Sequence, residues 1–280
     1  MKGRARLIFF LSVAASSTPA AEESLSDKRG YSWVTPVPED KMREMSTDRP
    51  DATESPFTID PGHVQLEMDF GAYARESEGG GRETEWEAAP FNLRFGLTTN
   101  FEAGFFVVPY REESDEPDSS ETRTRRSGFG DTMLRAKWNF AGNEGGDFGW
   151  GMILDLKLPT AQDGMSNEKY EGAMTFPIAF ALGGGWEAGA MTSIEAVYSE
   201  VGEHRAVWSN TITAGHDLSE NVGGFVELTS STGDGSHVAT FNCGLTRRFG
   251  PHVQFDTGLS FGLSSAAPDF AAFVGWARRF

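Results

Sequence analysis

The chain of 280 residues has a single cysteine, Cys243, so it has no internal disulfide. Basic residues are scarce: 24 Lys and Arg stand against 41 Asp and Glu, for a net charge of −17. That balance excludes nucleic acid as a partner, because neutralising phosphates needs a basic surface. The five histidines, His63, His204, His216, His237 and His252, show no zinc-ligand spacing, and no metal is expected. There is no Gly-x-Ser-x-Gly turn and no glycine-rich phosphate loop ending in Lys-Ser or Lys-Thr. Ser236 and His237 are adjacent, a spacing that does not aim the imidazole at that hydroxyl. The chain is therefore read as a non-enzyme with no cofactor. Past the N-terminus it has no apolar run of about 18 residues, which excludes a transmembrane helix. A mean hydropathy of −0.37 would fit a soluble protein. It equally fits a transmembrane barrel, in which half of each strand faces a polar lumen.

Residues 1–20 read as a secretory signal peptide. Lys2, Arg4 and Arg6 supply the positive start, Leu7 to Ala15 the apolar core, and Thr18-Pro19-Ala20 a small-residue cleavage site. Residues 21–61 have no sustained period and are rich in Asp, Glu, Ser and Pro. They are expected to form an extended periplasmic or lumenal segment, either a tether or a plug. Thr47 to Pro56 is its densest polar run and carries two prolines.

From residue 62 to 280 the dominant signal is alternation. Thr132, Leu134, Ala136, Trp138 and Phe140 share one parity, and Asp131, Met133, Arg135, Lys137 and Asn139 the other. Period two marks a strand with one apolar face. The pattern recurs over about 62–73, 84–97, 101–110, 128–140, 148–158, 171–182, 186–198, 205–216, 222–230, 237–249, 253–263 and 270–280. Connections alternate between short turns, such as 98–100 and 250–252, and longer ones at 74–83, 111–127, 159–170, 199–204, 231–236 and 264–269. Outer-membrane barrels have this asymmetry, with short periplasmic turns and longer extracellular loops. Phe95, Phe101, Trp138, Phe140, Trp150, Trp186, Phe249 and Phe280 gather near the short-turn ends with outward parity, as an interfacial aromatic belt would. The expectation is an all-β, transmembrane, antiparallel up-and-down barrel of about twelve strands, with both chain ends on the periplasmic side. Two prolines, Pro90 and Pro177, fall inside expected strands, where each removes a ladder hydrogen bond. Before Pro90 the parity inverts, and a bulge there would return Glu85 and Glu87 to the lumen and Trp86 to the outside.

Inward parity assigns to the lumen Glu67, Asp69, Glu102, Asp131, Asp155, Glu171, Glu187, Glu195, Glu227 and Asp256, together with Arg94, Arg135, Lys137, Lys157, Arg205, Arg248 and Arg279. These residues either line a polar, slightly acidic path that favours cations and neutral polar solutes, or pair off to fill a narrow interior. The run Glu112 to Asp118 reads as a solvated loop rather than a cation site, with Arg123, Arg125 and Arg126 able to pair with it or to contact lipid phosphates. Arg247 and Arg278 have outward parity near short turns, where they would snorkel to the interface. Cys243, also outward, reads as a small apolar side chain.

Several stretches carry a family resemblance: Thr47-Asp48-Arg49-Pro50-Asp51, Glu54-Ser55-Pro56, Asp60-Pro61-Gly62, Asn92 to Thr98, Gly128 to Asp131, Leu134 to Asn139, Lys157 to Ala161, His216-Asp217-Leu218 and Gly223-Gly224-Phe225. Over about 47–280 the chain resembles the outer-membrane transporter-like family associated with the meta-pathway of phenol degradation. The resemblance implies an outer-membrane location, a barrel, and passage of small molecules, aromatic or other small organic compounds among them. Phe280 resembles the terminal assembly signal of such barrels, while Arg278 departs from the apolar residue expected beside it. The expected partners are outer-membrane lipid and lipopolysaccharide, and a small-molecule solute. The competing readings are a structural or surface-binding barrel with a closed lumen and, last, a lipid-acting outer-membrane enzyme.

Overall fold

The computed structural model describes residues 28–78, 80–117, 122–199 and 202–280. The signal-peptide expectation for 1–20 lies outside the described residues. The described residues contain fifteen strands and one short 3-10 turn, Glu39–Lys41. The strands are β1 (Val64–Glu78), β2 (Gly81–Ala88), β3 (Phe91–Thr98), β4 (Phe101–Val107), β5 (Tyr110–Glu116), β6 (Thr124–Gly128), β7 (Thr132–Ala141) and β8 (Phe148–Leu158). They continue with β9 (Glu171–Gly183), β10 (Trp186–Tyr198), β11 (His204–Ser219), β12 (Val222–Gly233), β13 (Ser236–Arg248), β14 (Val253–Gly262) and β15 (Phe270–Arg279).

Every pairing is antiparallel, and β15 returns to pair with β1, with Gln65 opposite Arg279 and Arg75 opposite Phe270. β2 with β3, β4 with β5, and β6 with β7 are upper and lower parts of single staves, broken near Ala89-Pro90, Val108-Pro109 and Phe129-Gly130. The barrel therefore has twelve staves, and closure leaves no edge in its lower part. Its outer surface carries exposed Leu134, Leu156, Met174, Ile212, Leu228, Leu259 and Val274, while inward positions such as Gln65, Asp69, Lys137 and Gln254 are buried. Alternation with the apolar face outward is the reverse of a soluble core and is what lipid requires.

Aromatic pairs mark the short-turn end, with ring centroids 4.4 Å apart for Phe101–Trp138 and 4.6 Å for Phe140–Trp150. Arg247 and Arg278 lie over Phe249 and Phe280, at 5.0 and 4.8 Å from the ring centroids. Each guanidinium is thus held against an aromatic ring at that rim.

The long connections need correction. Most of 74–83 and 111–127 is strand: β1 runs to Glu78, β2 starts at Gly81, and β5 and β6 occupy much of the second span. β11 starts at His204 and β12 runs to Gly233, so 199–204 and 231–236 shorten as well. The backbone ladder continues above the lipid, where neither face needs to be apolar, so the hydrophobic alternation ends before the strand does. The acidic run is paired rather than free: Arg125 meets Glu112 at 2.5 Å, Arg126 meets Glu113 at 2.6 Å and Arg123 meets Glu116 at 3.0 Å.

At the Ala89-Pro90 break Ala89 has φ 55, and opposite it the β1–β15 register slips between Asp69 and Gly71. Parity flips across the break. Trp86 is exposed and its ring lies tilted against Tyr73, with centroids 4.6 Å apart, while Glu87 is buried and Arg111 donates to it at 2.5 Å. Pro177 remains inside β9, opposite Met191.

Candidate functional site: the barrel lumen

Residues 28–45 lie at the short-turn mouth, and 46–60 run inside the barrel. At the mouth Lys28 and Arg43 both reach the Asp60 carboxylate at 3.0 Å. Burial raises the Asp60 carboxyl, but Arg43 and then Lys28 outweigh it and hold it below the ordinary aspartate range. Trp33 donates its backbone N–H to Leu97 at the rim and sets its ring 5.8 Å from Phe95.

Further in, the segment contacts strand after strand. The Asp48 amide donates to Glu67 on β1 at 2.9 Å, and its carboxylate pairs with Lys137 on β7 and with Arg94 on β3 at 3.3 Å. Arg49, fully buried, pairs with Asp69 on β1 and with Asp256 on β14 at 2.6 Å. Its guanidinium lies against Gly275 on β15, where any Cβ would overlap it. Ala52 and Thr53 donate to Glu227 on β12 at 2.9 and 2.6 Å, and Thr53 also meets Thr211 on β11 at 2.7 Å. Glu54 pairs with Arg135 on β7 at 2.7 Å, and the Pro56 carbonyl accepts from Asn139 at 2.9 Å. Ile59 donates to Glu102 on β4 at 2.8 Å. A backbone with no ladder of its own needs such partners when buried. Its path crosses the lumen and returns, in the half nearer the short turns. A Cβ at Gly96 would clash with the Asp60 carbonyl, so that glycine makes room for the segment's exit.

The inner wall divides into two parts. Along β1, β3, β4, β7 and β8 it is a network of ion pairs: Arg94 with Glu67 at 2.6 Å and Glu102 at 2.8 Å, and Arg135 with Asp155 through two bonds of 2.8 and 2.9 Å. Along β9 to β13 it is mostly hydroxyls. Thr175 meets Ser193 at 3.0 Å, Ser209 meets Ser231 at 3.0 Å, and Thr229 meets Thr240 at 2.7 Å. Of the carboxylates on this side, Glu195 accepts from Ser209 at 3.3 Å and Glu227 from Asn242 at 2.7 Å. Neither makes an ion pair among the described residues.

The expected lumenal residues fall into four groups. Glu67, Asp69, Arg94, Glu102, Arg135, Lys137, Asp155, Glu227 and Asp256 are buried around residues 46–60. Above them Lys157 joins Glu171 at 2.6 Å and Asp131 at 3.4 Å. Glu195 is buried on the hydroxyl side, and Glu187 reaches over Gly215 on β11. At the lower mouth Arg279 donates to the Arg43 carbonyl at 2.8 Å, and Arg248 lies 3.8 Å from Glu44. Arg205 is a correction: it keeps inward parity but rides above the lipid on the rim, exposed, with Glu203 at 2.8 Å and Asp234 at 3.4 Å. Asp48, Arg49, Glu54 and Asp60 are interior charges that strand alternation does not assign. The available signal was the mixed-sign polar run from Thr47 to Pro56, which carries no period.

This geometry defines an outer-membrane β-barrel with a chain segment folded into its lumen. The family described as "Putative MetA-pathway of phenol degradation" matches residues 47–280, and the chain belongs to it. Among solved structures, an outer membrane channel from Pseudomonas putida F1 is similar at 14% identity and TM-score 0.62, over 84% of this chain and 100% of that one. The NanC porin aligns at 8% identity and TM-score 0.50, over 76% and 98% of the two chains. The β domain of the Bordetella autotransporter BrkA aligns at 10% identity and TM-score 0.50, over 78% and 99%. At these identities the likeness is one of fold. No curated protein sequence matches the chain.

Proposed function

We propose that the barrel passes small molecules across the outer membrane and that residues 46–60 are a stopper that must shift for passage. The family's association with phenol breakdown supports small aromatic or other small organic compounds as solutes. The observation that carries the reading is the way the segment is held. Polar bonds join it to opposite sides of the wall, at Glu67, Asp69, Glu102, Arg135, Glu227 and Asp256, with no apolar core of its own. Polar bonds between stopper and wall can be exchanged for bonds to water, so the segment can leave without exposing a hydrophobic core. The hydroxyls along β9 to β13, with carboxylates such as Glu195 among them, favour neutral polar solutes and cations over anions.

Planar-bilayer conductance tests this. The chain lacking residues 28–61 should conduct steadily, and the intact chain should conduct less. In the intact chain Arg49→Ala should raise conductance part of the way, because Asp69 and Asp256 lose their shared cation. Silence in all three, with the barrel folded by its heat-modifiable migration, would favour a structural or surface-binding barrel. The density of bonds between the segment and the wall is what supports that second reading.

A further inference from the structure

Above the membrane, β1, β2, β5 and β6 continue as a four-stranded sheet whose two faces differ in charge. The register sets the faces. Tyr73, Trp86, Glu112 and Ser127 lie in one row, and Arg75, Thr84, Ser114 and Arg125 in the next. Trp86 is exposed and continues the lipid-facing surface, so this face points outward. It carries Arg75, Arg82, Arg123 and Arg125 against Glu112 and Glu116. The opposite face, in line with buried Ala72, Ala74 and Glu87, carries Glu76, Glu83, Glu85, Glu87, Glu113 and Asp115 against Arg111 and Arg126. In a chain of net charge −17, arginine has been concentrated on the side towards the lipid.

We propose that this outer face binds the phosphate groups of the outer-leaflet glycolipid, lipopolysaccharide. Three observations on the molecule converge on it. The arginines stand just above an aromatic layer of Tyr73, Trp86 and Tyr110, of which Trp86 and Tyr110 are exposed. Such rings sit at the headgroup boundary. Arg75 is two residues beyond Tyr73 and Arg82 four before Trp86, which puts them about 7 and about 13 Å further along their strands, at headgroup height. Arg75 and Arg82 are exposed and make no ion pair among the described residues, so their donors are open. Arg123 and Arg125 are paired, but more than half of each side chain is exposed, leaving donors on the far side of each fork. Arginine's planar fork suits phosphate, and several together hold an anion that one would not. The inner face, acidic and over the lumen, would repel the same lipid, which fixes the side on which it docks.

Native mass spectrometry of the full chain in detergent, with lipid A added, provides the test. Bis-phosphorylated lipid A should bind at least tenfold more tightly than the dephosphorylated form. Arg75→Ala with Arg82→Ala should remove most of that difference. Arg126→Ala, on the inner face, should leave it intact. The double variant strips no buried partner and should keep wild-type heat-modifiable migration. Equal binding of the two lipids would overturn the proposal, as would a double variant indistinguishable from wild type. Displacement of the lipid by inorganic phosphate at equal concentration would also overturn it, because the site would then be one for free anions.

Discussion

The two sides of the inner wall solve the same problem differently. Along β1, β3, β4, β7 and β8, each inward charge is met by an opposite charge, and the stopper supplies the missing ones: Asp48 to Lys137 and Arg94, Glu54 to Arg135. Along β9 to β13, Ser and Thr answer one another, and two carboxylates take hydroxyl and amide donors instead of cations. The first arrangement is directional and rigid, because removing one ion strands several others in a poorly hydrated place. The second can be re-formed at small cost, since a hydroxyl pair exchanges readily with water or a passing solute. The charged side therefore reads as the stopper's main seat, with Glu227 and Thr211 its footing across the lumen, and the rest of the hydroxyl side as the wall a solute would touch.

Breaking the charged side should give the largest effect. Arg94→Met leaves Glu67 and Glu102 buried without their shared cation and takes one from Asp48. It should cost about 3–5 kcal/mol. Thr229→Val, on the hydroxyl side, leaves Thr240 with Asn242 as a partner at 3.0 Å and should cost about 1 kcal/mol. Folding titrations into lipid vesicles would compare them. Similar costs would mean that the two sides are energetically alike.

Next in size is the lipid face against which both sides are defined. Leu156 is exposed on the outer surface, and Leu156→Arg should cost about 2–4 kcal/mol near the midplane. Phe105→Arg should behave likewise, and Ser260→Arg, of inward parity opposite Asn242, should cost much less. Equal tolerance at the three positions in the same titration would contradict the assigned faces.

These contrasts also show what the sequence could reveal. The twelve staves were legible because lipid and lumen alternate along each one, and the parity of Glu67, Arg94 and Asp155 followed from that alternation. The upper sheet was not, because Glu112, Glu113, Arg125 and Arg126 pair across strands with no apolar face to betray the period. The stopper's placement was open for another reason. Residues 46–60 form no ladder, and most of the partners that place them lie in distant strands, as Asp256 does for Arg49. No local spacing encodes that contact. The parity break at Pro90 was legible because proline cannot donate, and the turn of Glu87 inward follows from it.

A smaller effect should appear in ion selectivity once the stopper is removed. Asp155 is held by Arg135 through two hydrogen bonds, so Asp155→Asn changes little of the charge a mobile ion feels. Glu195 has a serine for a partner and should act as the uncompensated charge. Glu195→Gln should therefore move the reversal potential of the chain lacking residues 28–61 towards zero in a salt gradient, most at low salt where screening is weakest. A larger shift from Asp155→Asn would reverse the assignment of paired and unpaired sides. A wild-type preference for anions would contradict it altogether.

The smallest expected effect is on the stopper's exit, where Asp60 joins Lys28 and Arg43 at the mouth. Burial raises this carboxyl, but the two cations outweigh it, and its pKa in the seated state lies below the usual aspartate value. A depressed folded pKa contributes stability that is fully present above the unfolded value, about 3.9, and is lost as pH falls through the folded one. This cluster's contribution to seating should therefore be constant around neutrality and be lost only below about pH 4. Hydrogen exchange of the amides from Arg43 to Asp60, compared between pH 7 and pH 3 after correction for the intrinsic rate, would read it. Asp60→Asn should show the acid-state protection already at pH 7, with the barrel strands unaffected. Identical protection in that variant and wild type at pH 7 would mean that the ion pairs within the lumen hold the stopper alone and that the cluster at the mouth adds nothing to its seat.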